Sequence, residues 1–173
     1  MKKVIILILI MIVGLSSLFS GCIQSGTGTL ILKITDAPPD LNITKALVTI
    51  SSIQVHLGAG GNNSTAGWYT IVDEQQTFDL IELQNVTDDL GIKNLSAGLY
   101  TQIRLTVESA LVTIDGIEHD LKIPSNKVKL ISPFEIVANE TTILTLDFDV
   151  HDSVHETGND RYIMNPTIKV IQG

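Results

Sequence analysis

The sequence contains very little cysteine, because Cys22 is the single one in 173 residues. One cysteine cannot form a disulfide within the chain. No Cys-x-x-Cys pair exists, so thiolate zinc sites and thioredoxin-like redox chemistry are excluded. The fold must therefore rest on an ordinary apolar core, which a chain of about 150 residues is long enough to bury.

Basic residues are also scarce. The chain has 11 Lys and Arg against 19 Asp and Glu, for a formal charge of −8. Lys2 and Lys3 precede every acidic residue, so the sequence from Cys22 onward carries 9 basic and 19 acidic residues, or −10. An acidic surface repels phosphate backbones, and we therefore expect no nucleic-acid partner.

Catalytic signatures are missing as well. The sequence has no Gly-x-Ser-x-Gly nucleophile turn and no Gly-rich phosphate loop. Aromatic residues make up only 5% of the chain, which is a poor supply for a sugar-cleaving cleft. Paired carboxylates for glycoside hydrolysis stay open, because their spacing is three-dimensional. We expect a protein that is not an enzyme.

The N-terminus has the three parts of an export signal. Lys2-Lys3 is followed by an apolar run from Val4 to Val13 and then by small residues up to Gly21. This pattern predicts a secretory signal peptide over residues 1–21. The apolar run is shorter than the roughly 20 residues that a membrane-spanning helix needs.

The end of this signal resembles the lipobox of prokaryotic lipoproteins, in which small residues precede the cysteine that becomes lipidated. The matching residues are Phe19-Ser20-Gly21-Cys22, with Phe19 in the place where Leu is usual. The resemblance implies lipidation of Cys22, a tether over residues 22–29, and anchoring to the outer face of the cell membrane. The alternative is a signal peptide followed by an incidental cysteine.

Asparagines in Asn-x-Ser/Thr acceptor sites are dense. The six sites are Asn42, Asn62, Asn63, Asn85, Asn94 and Asn139. Their density is typical of a glycosylated surface protein, and together with the lipobox it favours an archaeal source. The alternative is that Asn residues simply occupy turns of a Thr-rich β protein.

Residues that favour strands dominate the rest of the chain. Val, Ile and Thr account for 47 of the 152 residues from Cys22 onward, and apolar and polar residues alternate in runs such as 30–35, 47–56, 102–107 and 144–151. We predict one all-β domain over residues 30–173, a Greek-key, immunoglobulin-like or prealbumin-like β-sandwich of eight or nine strands. Only residues 79–92 have a loose helical spacing.

Ser96-Ala97-Gly98-Leu99-Tyr100 precedes one alternating strand. A Gly and a Tyr in this position resemble the tyrosine corner of Greek-key sandwiches, where the phenol bonds back to the backbone. The alternative is a core tyrosine with any partner.

An ordered set of short motifs resembles one known family. The motifs are Thr35-Asp36-Ala37-Pro38, Ala97 to Leu105, Leu121 to Ser125, Leu146-Asp147-Phe148-Asp149, and Tyr162 to Ile171. They are similar to the prokaryotic, mainly archaeal, surface-lipoprotein domain catalogued as domain of unknown function 4382. The resemblance covers most of residues 28–172 and implies an extracytoplasmic β-sandwich, with no activity or catalytic residues to carry over. Ser96 stands where that family has Pro.

Polar side chains with metal-ligand chemistry concentrate near the C-terminus: Asp147, Asp149, His151, Asp152, His155, Glu156 and Asp160. In an extended strand the first three share one face, and the others would follow in a loop. Carboxylates suit Ca²⁺, and the two histidines could recruit Zn²⁺ instead. The alternative is a solvated strand face whose charges pair with Arg104, Lys122 or Arg161.

Trp68 follows a Gly/Asn loop at residues 58–67. A single Trp in a small sandwich usually fills the core, but an exposed one could stack on a sugar or contact a partner. We therefore expect a lipid-anchored surface module that binds an unknown surface protein or glycan, or that serves a structural role. A metal-binding domain that uses the Asp147–Asp160 region and a subunit of a surface assembly are the alternatives.

Overall fold

Strands form almost all of the part of the chain that the structure describes. This computed structural model describes residues 26–36, 42–59 and 66–173. The predicted signal peptide, Cys22, Asn62 and Asn63 lie outside these residues. The described strands are β1 (Thr27–Asp36), β2 (Ile43–Leu57), β3 (Gly67–Val72), β4 (Gln76–Asp79), β5 (Asp88–Ser96), β6 (Gly98–Ile114), β7 (Ile117–Lys122), β8 (Lys127–Leu130), β9 (Phe134–Ile136), β10 (Thr141–Phe148), β11 (Val154–Gly158), β12 (Arg161–Met164) and β13 (Ile168–Gln172), and one helical turn, α1 (Val150–Ser153), follows β10.

The all-β sandwich prediction is confirmed, but the predicted number of strands was too low. The structure has 13 strands within the described residues. The additional strands are short, such as β8 and β12 with 4 residues each. A stretch that short shows no clear alternation in a sequence, so it cannot be distinguished from a loop.

The smaller sheet has four strands in the order β13-β10-β1-β5. β1 lies in its interior, parallel to β10 and antiparallel to β5. Its residues alternate strictly between core and surface, and Leu30, Leu32 and Ile34 are fully buried. This alternation gives β1 one apolar face that packs toward the larger sheet.

The larger sheet has nine strands along the path β11-β12-β7-β6-β2-β3, with β4 beside β2 and with β8 and β9 beside β6. Two long strands, β2 of 15 residues and β6 of 17, form its centre. Ile53, Val55, Ile103 and Leu105 of these strands are fully buried. Apolar residues of both sheets form one continuous core cluster.

The connection from β5 to β6 carries the chain from one sheet to the other, and the predicted tyrosine corner lies there. The Tyr100 hydroxyl donates a hydrogen bond to the carbonyl oxygen of Ser96 at 3.1 Å, and the side chain is fully buried. Gly98 has φ +152, and a Cβ atom there would lie 3.0 Å from the Leu57 side chain. The prediction of a phenol bonded back to the backbone is therefore confirmed, and only glycine fits the corner without strain.

The weak helical pattern over residues 79–92 was misleading. The structure has hydrogen-bonded turns there, with Glu82 N donating to the Asp79 carbonyl and Leu83 N to that of Leu80, and then β5 begins at Asp88. Leu80, Leu83 and Leu90 are all buried. Leu80 and Leu83 are buried from the turns and Leu90 from β5, and their spacing in the sequence resembles that of a helix.

Candidate functional site

The candidate metal ligands lie on different elements. We predicted that Asp147, Asp149 and His151 share one strand face. That prediction is wrong, because β10 ends at Phe148 and α1 follows it. The Asp149 side chain accepts a hydrogen bond from the Asp152 backbone N at 2.9 Å and so caps the helical turn. An Asp at the N-cap position favours this turn over a longer strand.

Three of the seven candidate ligands come together. One ligand atom from each of Asp149, His151 and Asp152 lies within 4.8 Å of the others, and His151 Nδ1 is 3.3 Å from an Asp152 carboxylate oxygen. His151 and Asp152 are exposed. Two carboxylates and an imidazole can bind a divalent cation. Here, however, helix capping and a surface ion pair already explain their positions.

The other four candidates are spread out. Asp147 lies opposite Lys169 on the neighbouring strand β13. His155 and Glu156 lie on the exposed edge strand β11, and Asp160 follows that strand in a turn. The predicted loop after Asp152 is therefore the end of a helical turn and a strand.

Asp160 lines an open groove between β7 and β12, which the sequence did not predict. The groove has a volume of about 600 Å³, and its lining includes Glu118, Asp120, Lys122, Arg161, His119 and Tyr162. The His119 and Tyr162 rings lie 4.7 Å apart. Desolvation raises the pKa of Tyr162, and the nearby carboxylates of Glu156, Asp160 and Asp115 raise it further. The groove thus has charges of both signs. It is formed by a parallel pairing of strands about 40 residues apart, which leaves no local signal in the sequence.

Trp68 lies on the outer face of the larger sheet. It is in register with His56 on β2, while the next residue, Tyr69, points inward and meets Tyr100 edge to face. The indole is half-buried against the sheet, with the His56 ring 4.9 Å away and the Arg104 guanidinium carbon 4.0 Å from its centroid. Of the two alternatives for Trp68, the structure favours the surface position over the core.

Arg104 belongs to a basic face of the same sheet, which we define by Gln54, His56, Trp68, Arg104, Lys127 and Lys129. Arg104 on β6 stands directly opposite Gln54 on β2 and Lys129 on β8. Lys127 lies two residues before Lys129, and both lysines are exposed. Four strands thus bring together residues that are as far apart as positions 54 and 129.

From the sequence we expected Arg104 only as a counter-charge for the carboxylates near the C-terminus. The structure places it on the basic face, and no carboxylate of the described residues forms an ion pair with it. The pattern that could have located it is the alternation of Gln102, Arg104 and Thr106 with the core residues of β6.

The glycosylation sites within the described residues are all on the surface: Asn42, Asn85, Asn94 and Asn139 are exposed. Asn85 and Asn139 have positive φ angles of 59° and 62°. Asn tolerates this left-handed conformation better than most residues, so turn geometry alone explains asparagine at these two positions. Asn94 lies within β5, where its side-chain oxygen accepts a hydrogen bond from Thr29.

The start of β1 is attached to one end of the sandwich. The Ala97 backbone N donates to the Gly26 carbonyl at 2.8 Å, and the Asn139 backbone N donates to the Thr27 carbonyl at 2.9 Å. The chain therefore enters the fold beside the tyrosine corner. The Asp149 turn lies at the opposite end, because β10 runs parallel to β1 and its last residue, Phe148, pairs with Asp36, about 30 Å along β1 from Thr27.

The comparisons with known proteins give a family and no activity. A family model described as a domain of unknown function, DUF4382, matches residues 27–166. No curated protein and no solved structure matches the chain. Among the described residues, no helix is long and apolar enough to cross a membrane.

Proposed function

This chain belongs to the family of the domain of unknown function DUF4382, and we propose that it is a cell-surface lipoprotein whose β-sandwich is a non-catalytic binding module. Cys22 carries the lipid in this proposal, and the domain stands on the outer face of the cell membrane. The observation that carries the proposal is the position of β1, which begins within five residues of Cys22 and is hydrogen-bonded to one end of the sandwich.

This arrangement suits a short anchor. Four residues, 23–26, separate Cys22 from β1, and even fully extended they span only about 14 Å. The end of the sandwich with the tyrosine corner would therefore stay close to the membrane surface. A diacylglyceryl-type modification supplies two acyl chains, which is what stable anchoring requires.

A binding role rather than catalysis is supported by how the buried polar groups are used. In the described part of the chain these are Asp36, Thr49 and Ser153. Asp36 accepts a hydrogen bond from the Val150 backbone, Thr49 bonds to Thr77, and Ser153 bonds to the backbone of Asp149 and Thr167. Each therefore holds the fold, whereas the outer face of the larger sheet offers exposed charged and amide groups to a partner.

Metabolic labelling with a lipid precursor tests the anchor. We expect label in the wild type and in Ser25→Ala, a matched change three residues after the cysteine, and none in Cys22→Ser. Equal label in the wild type and Cys22→Ser would overturn the proposal.

Metal binding is a second candidate function, which the proximity of Asp149, His151 and Asp152 favours. A metal bound only by the folded state would stabilise it. A melting temperature that falls in EDTA and recovers with added Ca²⁺ or Zn²⁺ would support this candidate, and a melting temperature unchanged by EDTA would reject it.

A further inference from the structure

We propose that the basic face binds an acidic polysaccharide, a polymer whose sugars carry carboxylates. This inference rests on the proposed function and names the ligand class of the binding module. The polymer would lie across the outer face of β3, β2, β6 and β8, with its carboxylates at Arg104 and Lys129 and its hydroxyl groups at the neighbouring amide and hydroxyl side chains.

Several cations line the outer face of β6 and β8. Arg104 is in register with Lys129 on β8, and Lys127 lies on the same side of β8 two residues away. The Arg104 guanidinium leans across β2 toward Trp68, on the side of β6 away from β8. The cations therefore occupy separate positions along the face, and a polymer with several carboxylates can contact more than one of them.

The Arg104 side chain is already held in one orientation by its neighbours. Its guanidinium lies over the Trp68 ring at 4.0 Å, and the His56 ring supports the indole from the side. Stacking occupies the flat face of a guanidinium and leaves the N–H donors in its plane available. These donors match a carboxylate in a bidentate geometry. Trp68 thus positions Arg104 for a carboxylate. Because the Arg104 side chain is already ordered, it loses little further conformational entropy when a ligand binds.

The charges of the chain are unevenly distributed. Arg104, Lys127 and Lys129 contribute three positive charges in a chain of net charge −8, which leaves −11 for all other residues. The centre of the basic face carries no carboxylate, and Glu108 at its border is already bonded to Ser51. A polyanion would therefore be repelled by the net charge of the other residues and attracted by the basic face.

The amide, hydroxyl and aromatic side chains of the face favour a polysaccharide over a membrane. Gln54 bonds to Thr70 at 3.2 Å and His56 bonds to Thr101 at 3.2 Å, so amide, imidazole and hydroxyl groups lie next to the cations. Each retains further capacity to bond sugar hydroxyl groups. Trp68 is half-buried between His56 and Arg104, so its ring is not free to enter a lipid layer as the aromatic residues at membrane interfaces do.

The position of the face fits a polymer of the cell's own surface. The His56–Trp68 pair lies next to the Leu57–Tyr100 pair, which is at the tyrosine corner where the chain enters the fold. The basic face therefore begins on the half of the sandwich that the proposed anchor keeps near the membrane.

Affinity electrophoresis of the full chain in a non-ionic detergent tests the inference, with polygalacturonate as the acidic polymer and dextran as the neutral one. We expect polygalacturonate to retard the wild type, dextran to leave its mobility unchanged, and added salt to weaken the retardation. Arg104→Gln and Lys129→Gln should each lower the affinity at least tenfold. Arg104→Lys keeps the charge but loses the bidentate geometry, so it should lower the affinity severalfold.

Lys93→Gln is the matched control, because it removes the same charge from an exposed position on the smaller sheet. It should bind as the wild type does, and all variants must have melting curves like that of the wild type. Equal losses in Lys93→Gln and Arg104→Gln would overturn the inference. So would equal binding to dextran, or binding to phosphatidylglycerol vesicles without binding to polygalacturonate.

Different results would contradict this inference and the proposed function. If the wild type does not bind polygalacturonate while Cys22→Ser still abolishes lipid labelling, the ligand class is wrong and the anchor stands. If labelling does not depend on Cys22, the anchor is wrong whatever the polysaccharide result.

Discussion

Tyr100 combines three contacts that few residues of a sandwich make at once. Its hydroxyl reaches back to the Ser96 carbonyl, its ring stacks on Phe134 with centroids 5.3 Å apart, and Tyr69 meets its edge. Burial raises the pKa of Tyr100 to about 12, and the neighbouring Tyr69 adds to the shift. Ionisation of this phenol would therefore destabilise the corner.

This shift predicts an alkaline loss of stability. The unfolded tyrosine has a pKa of about 10. Between that value and about 12 the folded chain keeps a proton that the unfolded chain releases, so the free energy of unfolding falls as pH rises. The contribution is fully present below pH 10. Urea titrations at increasing pH should show a steeper alkaline decline in the wild type than in Tyr100→Phe.

At neutral pH Tyr100→Phe should lower the free energy of unfolding by about 1 kcal/mol, because the Ser96 carbonyl loses its donor in a buried corner. A wild type and a Tyr100→Phe variant with parallel pH profiles would contradict the assigned shift.

Asp149 gives a second prediction at the scale of one residue. Asp149→Ala removes the cap of α1 and should lower the free energy of unfolding by about 1 kcal/mol. Asp149→Asn keeps a side-chain oxygen that caps equally well, so it should be close to neutral. Thermal melts in EDTA check this without any metal. The contrary outcome is that Asp149→Ala and Asp149→Asn are equally less stable than the wild type without EDTA and as stable as the wild type with EDTA. The Asp149 carboxylate would then be acting as a metal ligand.

At the scale of elements, β2 and β6 contain the largest departure from what the sequence predicts. In β2 the buried apolar residues after Ile43 are Ala46, Val48 and Ile50, and then Ile53, Val55 and Leu57, so the inward side changes between positions 50 and 53. The register of β2 with β6 shifts at the same level, between Thr49 and Ser52. Alternation over residues 47–56 predicted the strand correctly, but it could not locate these bulges, because both halves read as regular strands.

The pairing of β6 with β8 yields a prediction that separates binding from stability. Lys129→Glu reverses a charge in register with Arg104, but the Arg104 guanidinium leans toward Trp68 and away from β8. We therefore expect the free energy of unfolding to change by less than about 0.5 kcal/mol. The same substitution should abolish polygalacturonate binding.

Lys93→Glu is the control for this change, because it alters the net charge equally but lies opposite Leu30. It should change the free energy of unfolding by less than about 0.5 kcal/mol. Chemical denaturation at low salt measures the stability of both variants. A Lys93→Glu variant that loses polygalacturonate binding as Lys129→Glu does would contradict the assignment of the ligand to the basic face.

For the whole molecule, the sequence predicted what depends on local pattern and failed where distant strands meet. The sandwich and the tyrosine corner follow from alternation and from Gly98 and Tyr100, which are neighbours in the chain. The basic face joins β3, β2, β6 and β8, and the groove lined by Asp160 joins β7 and β12. Such surfaces depend on strand order and register, which composition and periodicity do not determine.

The candidate metal region illustrates the same limit. Its seven residues are close in sequence, but Asp147 lies within β10, and the helical turn at Val150–Ser153 divides the other six into a capped cluster, a strand edge and part of a groove. Because of this turn, the two ends of the sandwich differ in the residues that they expose. One end receives the chain from the proposed anchor, and the other carries exposed carboxylates about 30 Å away.

The most direct test of the central claim is the intact mass of the protein extracted from the membranes of its own cells. The account predicts a chain that begins at Cys22 and is heavier than residues 22–173 by a diacylglyceryl-type group, with any further mass on the exposed acceptor asparagines. A chain that retains residues 1–21, or one cleaved elsewhere and without lipid on Cys22, would contradict it.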